Sequence, residues 1–220
     1  MRIYKFDGNT TTSAEGMQHV AEFIHKNEPK VIIMSATENI RVQLSEITNK
    51  LYASDIEGAH NRITKLQFQC LDLVNQLLSD EVIRQKAIRH IINCFQRIWE
   101  YCRKPSLKVN KSEIMEQGEV LTCILTGTYL QEKNIDNTIL LAPDFIHIKK
   151  DKRIDMEQTS LSLLHLFKAY PEKQLFVIQR LTYNSIQPYA NKTFNISKHF
   201  LSSPNIFRVF IQHLGKKKKG

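Results

Sequence analysis

Glycine is scarce in this 220-residue chain: there are seven in all, and none from Thr128 through Leu214. A backbone that must approach phosphate oxygens closely needs residues without a Cβ. That long stretch therefore excludes a glycine-lined phosphate loop, and no Walker loop appears anywhere in the chain. The four cysteines, Cys70, Cys94, Cys102 and Cys123, form no Cys-x-x-Cys pair and no zinc spacing with a histidine, which leaves reduced core thiols. The eight histidines make neither His-x-x-x-His nor His-Glu-x-x-His, and no Gly-x-Ser-x-Gly elbow is present. Those absences remove the common metalloprotease and hydrolase signatures, and no metal site is expected. No apolar run approaches the roughly 18 to 20 residues needed to cross a bilayer. The opening residues, Met1 to Gly8, lack the apolar stretch of a signal peptide, so a cytoplasmic location is expected.

Positive charge is plentiful. The formal balance is +9, but four of those charges are Lys216 to Lys219. The remainder is spread along the chain with no aromatic-basic recognition motif, which argues against a nucleic-acid partner. At 42% hydrophobic and 24% charged, the chain can bury one substantial core. One domain is expected over residues 1–214, followed by a basic tail at 215–220.

Apolar periodicity alternates between strand-like and helix-like blocks, which predicts an α/β fold with a mostly parallel central sheet in a three-layer sandwich. Arg2 to Phe6 reads as a first strand, and Val31-Ile32-Ile33-Met34 as a strand buried on both faces. Thr12 and Glu15 have capping-box spacing ahead of a helix through Met17, Val20, Ala21 and Ile24. Ile40, Leu44, Ile47 and Leu51 mark the next helix. Two long helices follow, through Ile63, Leu66, Cys70, Leu73, Val74 and Leu77, and then through Ile88, Ile91, Ile92, Phe95, Trp99 and Cys102. Together they suggest an antiparallel helical hairpin from about Asn61 to Cys102. A helix over 112–132 carries Leu121, Ile124, Leu125 and Thr128 on one face. Thr138 to Ala142 and Phe145 to Ile148 read as strands about a Pro143-Asp144 turn. A helix over 159–170 leads to a strand at Leu175 to Ile178. Residues 183–205 read as loop, and Ile206 to Ile211 as a last strand.

Five segments carry a resemblance to a known family. Lys5-Phe6-Asp7-Gly8-Asn9-Thr10 resembles the aspartate kinase opening Lys-Phe-Gly-Gly-Thr-Ser. Ile32-Ile33-Met34-Ser35-Ala36-Thr37 is similar to that family's apolar strand ending in Ser-Ala-Ser. Gln117-Gly118-Glu119-Val120-Leu121-Thr122 resembles its Gly-Glu-Leu-Ser at the head of a helix, and Tyr129-Leu130-Gln131-Glu132-Lys133 the end of the same helix. Leu175 to Gln179 is similar to the strand before the family's glycine-rich loop. The resemblance covers about residues 1–180, so a nucleotide-binding half is reduced or absent beyond that point.

The resemblance implies an amino-acid-kinase fold and, in an active member, transfer of phosphate from ATP, with magnesium, to the carboxylate of aspartate. Positioning and charge neutralisation dominate such chemistry. Carried over by motif, Lys5, Gly8, Asn9 and Thr10 fall at nucleotide-contacting positions, with Lys5 also catalytic; Ser35, Thr37, Arg41 and Glu119 fall at substrate positions. Each has a plainer reading. Lys5 can be a surface lysine, Ser35 a helix cap, Glu119 a complement to a helix dipole, and Arg41 an exposed residue of a first helical turn. A homodimer is implied by the resemblance alone.

The departures lie at phosphate. Asp7 replaces a glycine, and a carboxylate about 4 Å from a phosphate charge costs up to ~4 kcal/mol at an effective dielectric near 20, unless a magnesium ion intervenes. Asn39 and Arg41 stand where the family has glycine and threonine. After Gln179 the family continues Gly-Phe-Ile-Gly, whereas this chain has Arg180-Leu181-Thr182-Tyr183. The resemblance thus implies an aspartate-kinase-like protein with lost or reduced phosphoryl transfer that retains amino-acid or subunit binding. The alternative is a functional aspartate kinase with rebuilt ATP contacts.

Overall fold

The computed structural model describes residues 2–6, 14–24, 30–104, 108–147, 149, 155–169 and 175–180. Four strands, β1 (Arg2–Phe6), β2 (Lys30–Met34), β3 (Thr138–Leu140) and β4 (Leu175–Gln179), form one sheet. Their order is β1-β2-β4-β3, and every neighbouring pair is parallel. Among the described residues seven helices accompany them: α1 (Ala14–Ile24), α2 (Glu38–Tyr52), α3 (Ile56–Leu77), α4 (Glu81–Arg103), α5 (Lys111–Glu132), α6 (Ala142–Phe145) and α7 (Met156–Ala169). The fold is α/β, as the alternating periodicity predicts. No described helix is long and apolar enough to cross a membrane.

Both inner strands, β2 and β4, are buried along their whole length, which accounts for their unbroken apolar sequences. Their alternate residues serve two cores. Ile32, Met34, Leu175 and Val177 join the main apolar cluster with helices α1 to α5. Val31, Ile33, Phe176 and Ile178 are buried outside it, and α7 lies over Phe176, where Phe167 meets that ring edge-on at 4.5 Å. Helices therefore cover both faces of the sheet.

Helix α5 occupies the centre. From Gln117 to Leu130 every residue except Val120 is buried, so the single-faced stripe expected for this helix is replaced by burial all round. The reason is position: α5 packs on β2, β3 and β4 on one side and on α2 and α4 on the other. Two glycines let its neighbours in. A Cβ on Gly127 would stand 2.4 Å from Ile139 of β3, and one on Gly118 would stand 2.9 Å from Leu44 of α2.

Helices α3 and α4 lie side by side, with Trp99 donating from Nε1 to Gln67 Oε1 at 3.0 Å and stacking edge-on against His60. On α4 the buried residues are Ala87, Ile91, Cys94, Phe95, Ile98 and Tyr101. The stripe read from sequence is corrected by about one position: Ile92 is exposed and Trp99 only half-buried. Both faces of α4 were rich in apolar residues, and contact with α3 and α5 together selected the face. The cysteines are all free thiols, with burial pushing Cys70 and Cys94 up to about 12.

The region after β3 also differs from expectation. Ala142–Phe145 is one helical turn rather than part of two strands. Pro143 sits in its first turn, where a missing N–H costs nothing, and the Asp144 carboxylate accepts from the Leu141 N–H at 2.6 Å. The turn chemistry was legible; its helical outcome was not. Thr12, Ser13, Ile148, Tyr170, the 183–205 loop and the strand expected at 206–211 lie outside the described residues.

Candidate functional site

Parallel strands end together. Phe6, Met34 and Gln179 share one register row at the carboxyl edge of β1, β2 and β4, the edge at which open α/β sheets bind ligands. The ladder runs one step further: the Ser35 N–H donates to the Phe6 carbonyl at 3.3 Å and the Arg180 N–H to the Met34 carbonyl at 2.7 Å. Ser35 and Arg180 are thereby held next to each other just beyond the strands.

The Ser35-Ala36-Thr37 turn into α2 is wholly buried. Thr37 is the N-cap of α2, its Oγ1 accepting from the Ile40 N–H at 3.2 Å. That settles the plainer reading of Ser35, because the cap is taken. The Ser35 hydroxyl, on a residue 2% exposed, has no hydrogen-bond partner. A buried, unpaired hydroxyl is costly enough to need a reason.

Glu119 reaches this turn from α5. Its Oε2 accepts from the Ala36 N–H at 2.6 Å, and the residue is 4% exposed. It stands in the third turn of a helix that begins at Lys111, too far from the N-terminus for the helix dipole to explain it. Burial pushes its carboxyl above the usual carboxylate range; the Ala36 N–H and the charges of Arg180, Arg41 and Lys5 act in the opposite direction. Three cations from three different elements therefore bear on one buried carboxylate. Arg41, exposed near the start of α2, and Lys5, exposed on β1, contribute through charge.

Gly118 sets the position of Glu119. The nearest atoms to a Cβ there belong to Leu44, Ile40 and Ala36, the last at 3.3 Å, so α5 lies directly against the β2–α2 corner. Alanine would gain about 1 kcal/mol of helix propensity against an overpacking cost of about 1–3 kcal/mol. Gly118→Ala is expected to lower stability by about 1 kcal/mol and to weaken any ligand that depends on the Ala36–Glu119 contact. Urea denaturation and ligand titration of the one variant check both.

Three participants were not picked out from the sequence. Glu116, one turn before Glu119, accepts from Gln179 Nε2 at 3.2 Å, while Gln179 Oε1 accepts from the Ala142 N–H at 3.0 Å. Burial pushes the Glu116 carboxyl up to about 7. Arg180 is the third. The spacing of Glu116 and Glu119 at i and i+3, and the place of Arg180 directly after a strand, were the signals available. Gly8, Asn9 and Thr10 lie outside the described residues, as does Asp7. Asn39 is exposed and accepts from Gln43 at 3.0 Å. Among the described residues no cluster of His, Cys, Asp or Glu side chains could hold a metal. A separate cavity of about 360 Å³, lined by Met17, Thr37, Gln43, Gln69, Cys70 and Thr122 among others, lies between α1, α2, α3 and α5; neither Glu119 nor any of the three cations lines it.

The architecture is an aspartate-kinase-like α/β fold. E. coli aspartokinase III in complex with aspartate and ADP superposes with a TM-score of 0.64 at 15% identity, over 83% of this chain and 41% of that one. The same enzyme with lysine and aspartate gives 0.64 at 14% identity, over 81% and 40%. Aspartate kinase from Clostridium acetobutylicum gives 0.61 at 13% identity, over 83% and 39%. The chain thus spans about two fifths of the length of these enzymes. No protein-family model matches it, and no curated protein matches it in sequence.

Proposed function

We propose that this chain is a diverged aspartate-kinase-like domain that binds a small acidic amino acid at the carboxyl edge of its sheet and performs little or no phosphoryl transfer from ATP. The observation that carries the reading is the buried Glu119, bonded to the Ala36 N–H among Lys5, Arg41 and Arg180. An α-amino acid with an acidic side chain offers one ammonium group and two carboxylates. Glu119 suits the first, and the cations suit the other two. The orphaned Ser35 hydroxyl supplies a further donor.

The residues do not fit a triphosphate cradle. Arg180 stands at the first position after β4, with a buried guanidinium Nε, where the resemblance implies glycine. No glycine follows until Gly215. Side chains in place of bare backbone keep consecutive N–H groups away from phosphate oxygens. A homodimer, as the resemblance implies, and the cytoplasmic location expected from the opening residues belong to the same proposal.

Thermal shift with aspartate, Mg-ATP and both together, alongside a coupled ADP-release assay, tests the reading. Aspartate alone at a hundred times its Kd is expected to stabilise the fold by about 2.7 kcal/mol, with ADP release at the background rate. Turnover that disappears in Lys5→Ala and Glu119→Ala would establish the competing reading, a working aspartate kinase with rebuilt ATP contacts.

A further inference from the structure

Arg180 and Ser35 share a property that no other pair in the described residues has. Each follows the last paired residue of an inner strand, and each is held by a backbone bond that continues the ladder. Neighbouring positions on paired strands are about 4.8 Å apart. Ser35 Oγ and Arg180 Nε are both buried and both lack a hydrogen-bond partner. Two unsatisfied donors at neighbouring backbone positions, one of them cationic, lack an acceptor. An unmade hydrogen bond at a buried position destabilises the free protein, and a planar oxyanion is the group that a guanidinium edge and a hydroxyl satisfy together.

We infer that Ser35 and Arg180 form a carboxylate subsite, and that Arg180 is the residue by which this chain distinguishes a dicarboxylic ligand from its monocarboxylic amide. The inference rests on the proposed amino-acid reading for the location of the ligand. It adds that the discriminating cation belongs to the strand end itself and needs no nucleotide half. One ligand carboxylate accepts from Arg180 Nε–H and Ser35 Oγ–H. Glu119, already engaged by the Ala36 N–H, carries the charge that Arg180 acts on and faces the ligand ammonium group.

The test is calorimetric titration of the full chain with L-aspartate, L-asparagine and succinate, for wild type, Arg180→Gln, Arg180→Lys, Ser35→Ala and Glu119→Gln, each checked by its melting curve. Arg180→Gln is expected to lose roughly tenfold to a hundredfold in affinity for aspartate and succinate, the worth of one charge-assisted bond. Its affinity for asparagine should stay within about threefold, and Arg180→Lys should recover part of the loss. Ser35→Ala should bind aspartate more weakly yet melt higher without ligand, because it removes an orphaned hydroxyl, and a merely structural serine would not separate the two readouts. Unchanged aspartate affinity in Arg180→Gln, with affinity lost in Glu119→Gln, overturns the role of Arg180 and leaves the amino-acid reading intact. Succinate binding that depends on Arg180, in a protein that ignores aspartate, overturns the amino-acid reading and keeps the subsite. A wild-type protein that binds none of the three overturns both.

Discussion

Glu119→Gln is expected to lose its response to aspartate while melting at or above the wild-type temperature, whereas Glu119→Ala is expected to lose the response and melt lower. The difference follows from what each side chain leaves behind. Glutamine keeps an oxygen that can accept from the Ala36 N–H, now at 2.6 Å from the carboxylate, and it removes a charge that burial disfavours. Alanine leaves the Ala36 N–H buried with no acceptor, at about 1–3 kcal/mol. With the loss of the buried carboxylate offsetting part of that, the net cost should be about 1 kcal/mol, or roughly 2–4 °C in a chain of this size. Binding fails in both variants, because neither offers a charge to a ligand ammonium group amid Lys5, Arg41 and Arg180. Aspartate that stabilised Glu119→Gln as well as wild type would remove Glu119 from the ligand site. An alanine variant that melted with wild type would show that the Ala36 bond contributes nothing.

The second large effect is on pH dependence. Burial holds the Glu116 carboxyl at about 7 in the folded protein, against an ordinary value of 4.5. The folded state therefore binds this proton more tightly than the unfolded state does. The sign is fixed by that: the contribution is fully present below about pH 4.5 and is lost as pH rises through about 7. At 1.36 kcal/mol per unit the whole span comes to about 3 kcal/mol. Glu119, shifted in the same direction, adds to the trend. Glu116→Gln should lie within about 1 kcal/mol of wild type in the unfolding free energy from urea denaturation at pH 5 and exceed it by about 2–3 kcal/mol at pH 8, since glutamine can still accept from Gln179 without carrying a buried charge. Parallel pH profiles for the two proteins would refute this burial-driven shift.

The parts of the site visible in the linear chain were those with a local signature. Lys5 closes a strand, Ser35 and Thr37 follow one, and Glu119 sits behind the small Gly118. Their convergence was suggested by resemblance, because no spacing rule brings residue 36 to residue 119. In the linear chain Arg180 marks only the loss of a glycine. Its proximity to Ser35 becomes meaningful only when β2 and β4 are neighbours in register, and sequence order alone does not require that β4 insert between β2 and β3. Glu116 has no local signature, because one more glutamate on a helix looks solvated until the helix is packed into the core.

Thr37 illustrates the division in a single residue. Its type and its place before Glu38 are enough for a helix cap, a backbone effect that acts over three residues and is therefore written locally. Whether it also meets a ligand depends on α5, eighty residues away. The apolar periods of 2 and 3.6 likewise determined from the sequence that this is an α/β protein with continuously buried inner strands, because those periods express how each element meets water and core. Only the tertiary structure decided which face of α4 is covered, that α5 has no solvent face across its middle turns, and that a carboxylate, an orphaned hydroxyl and three cations gather at one sheet edge. The physical reason is that charge and hydrogen bonding act through distances of a few ångströms in space, and chain separation carries no information about those distances until the sheet order is set.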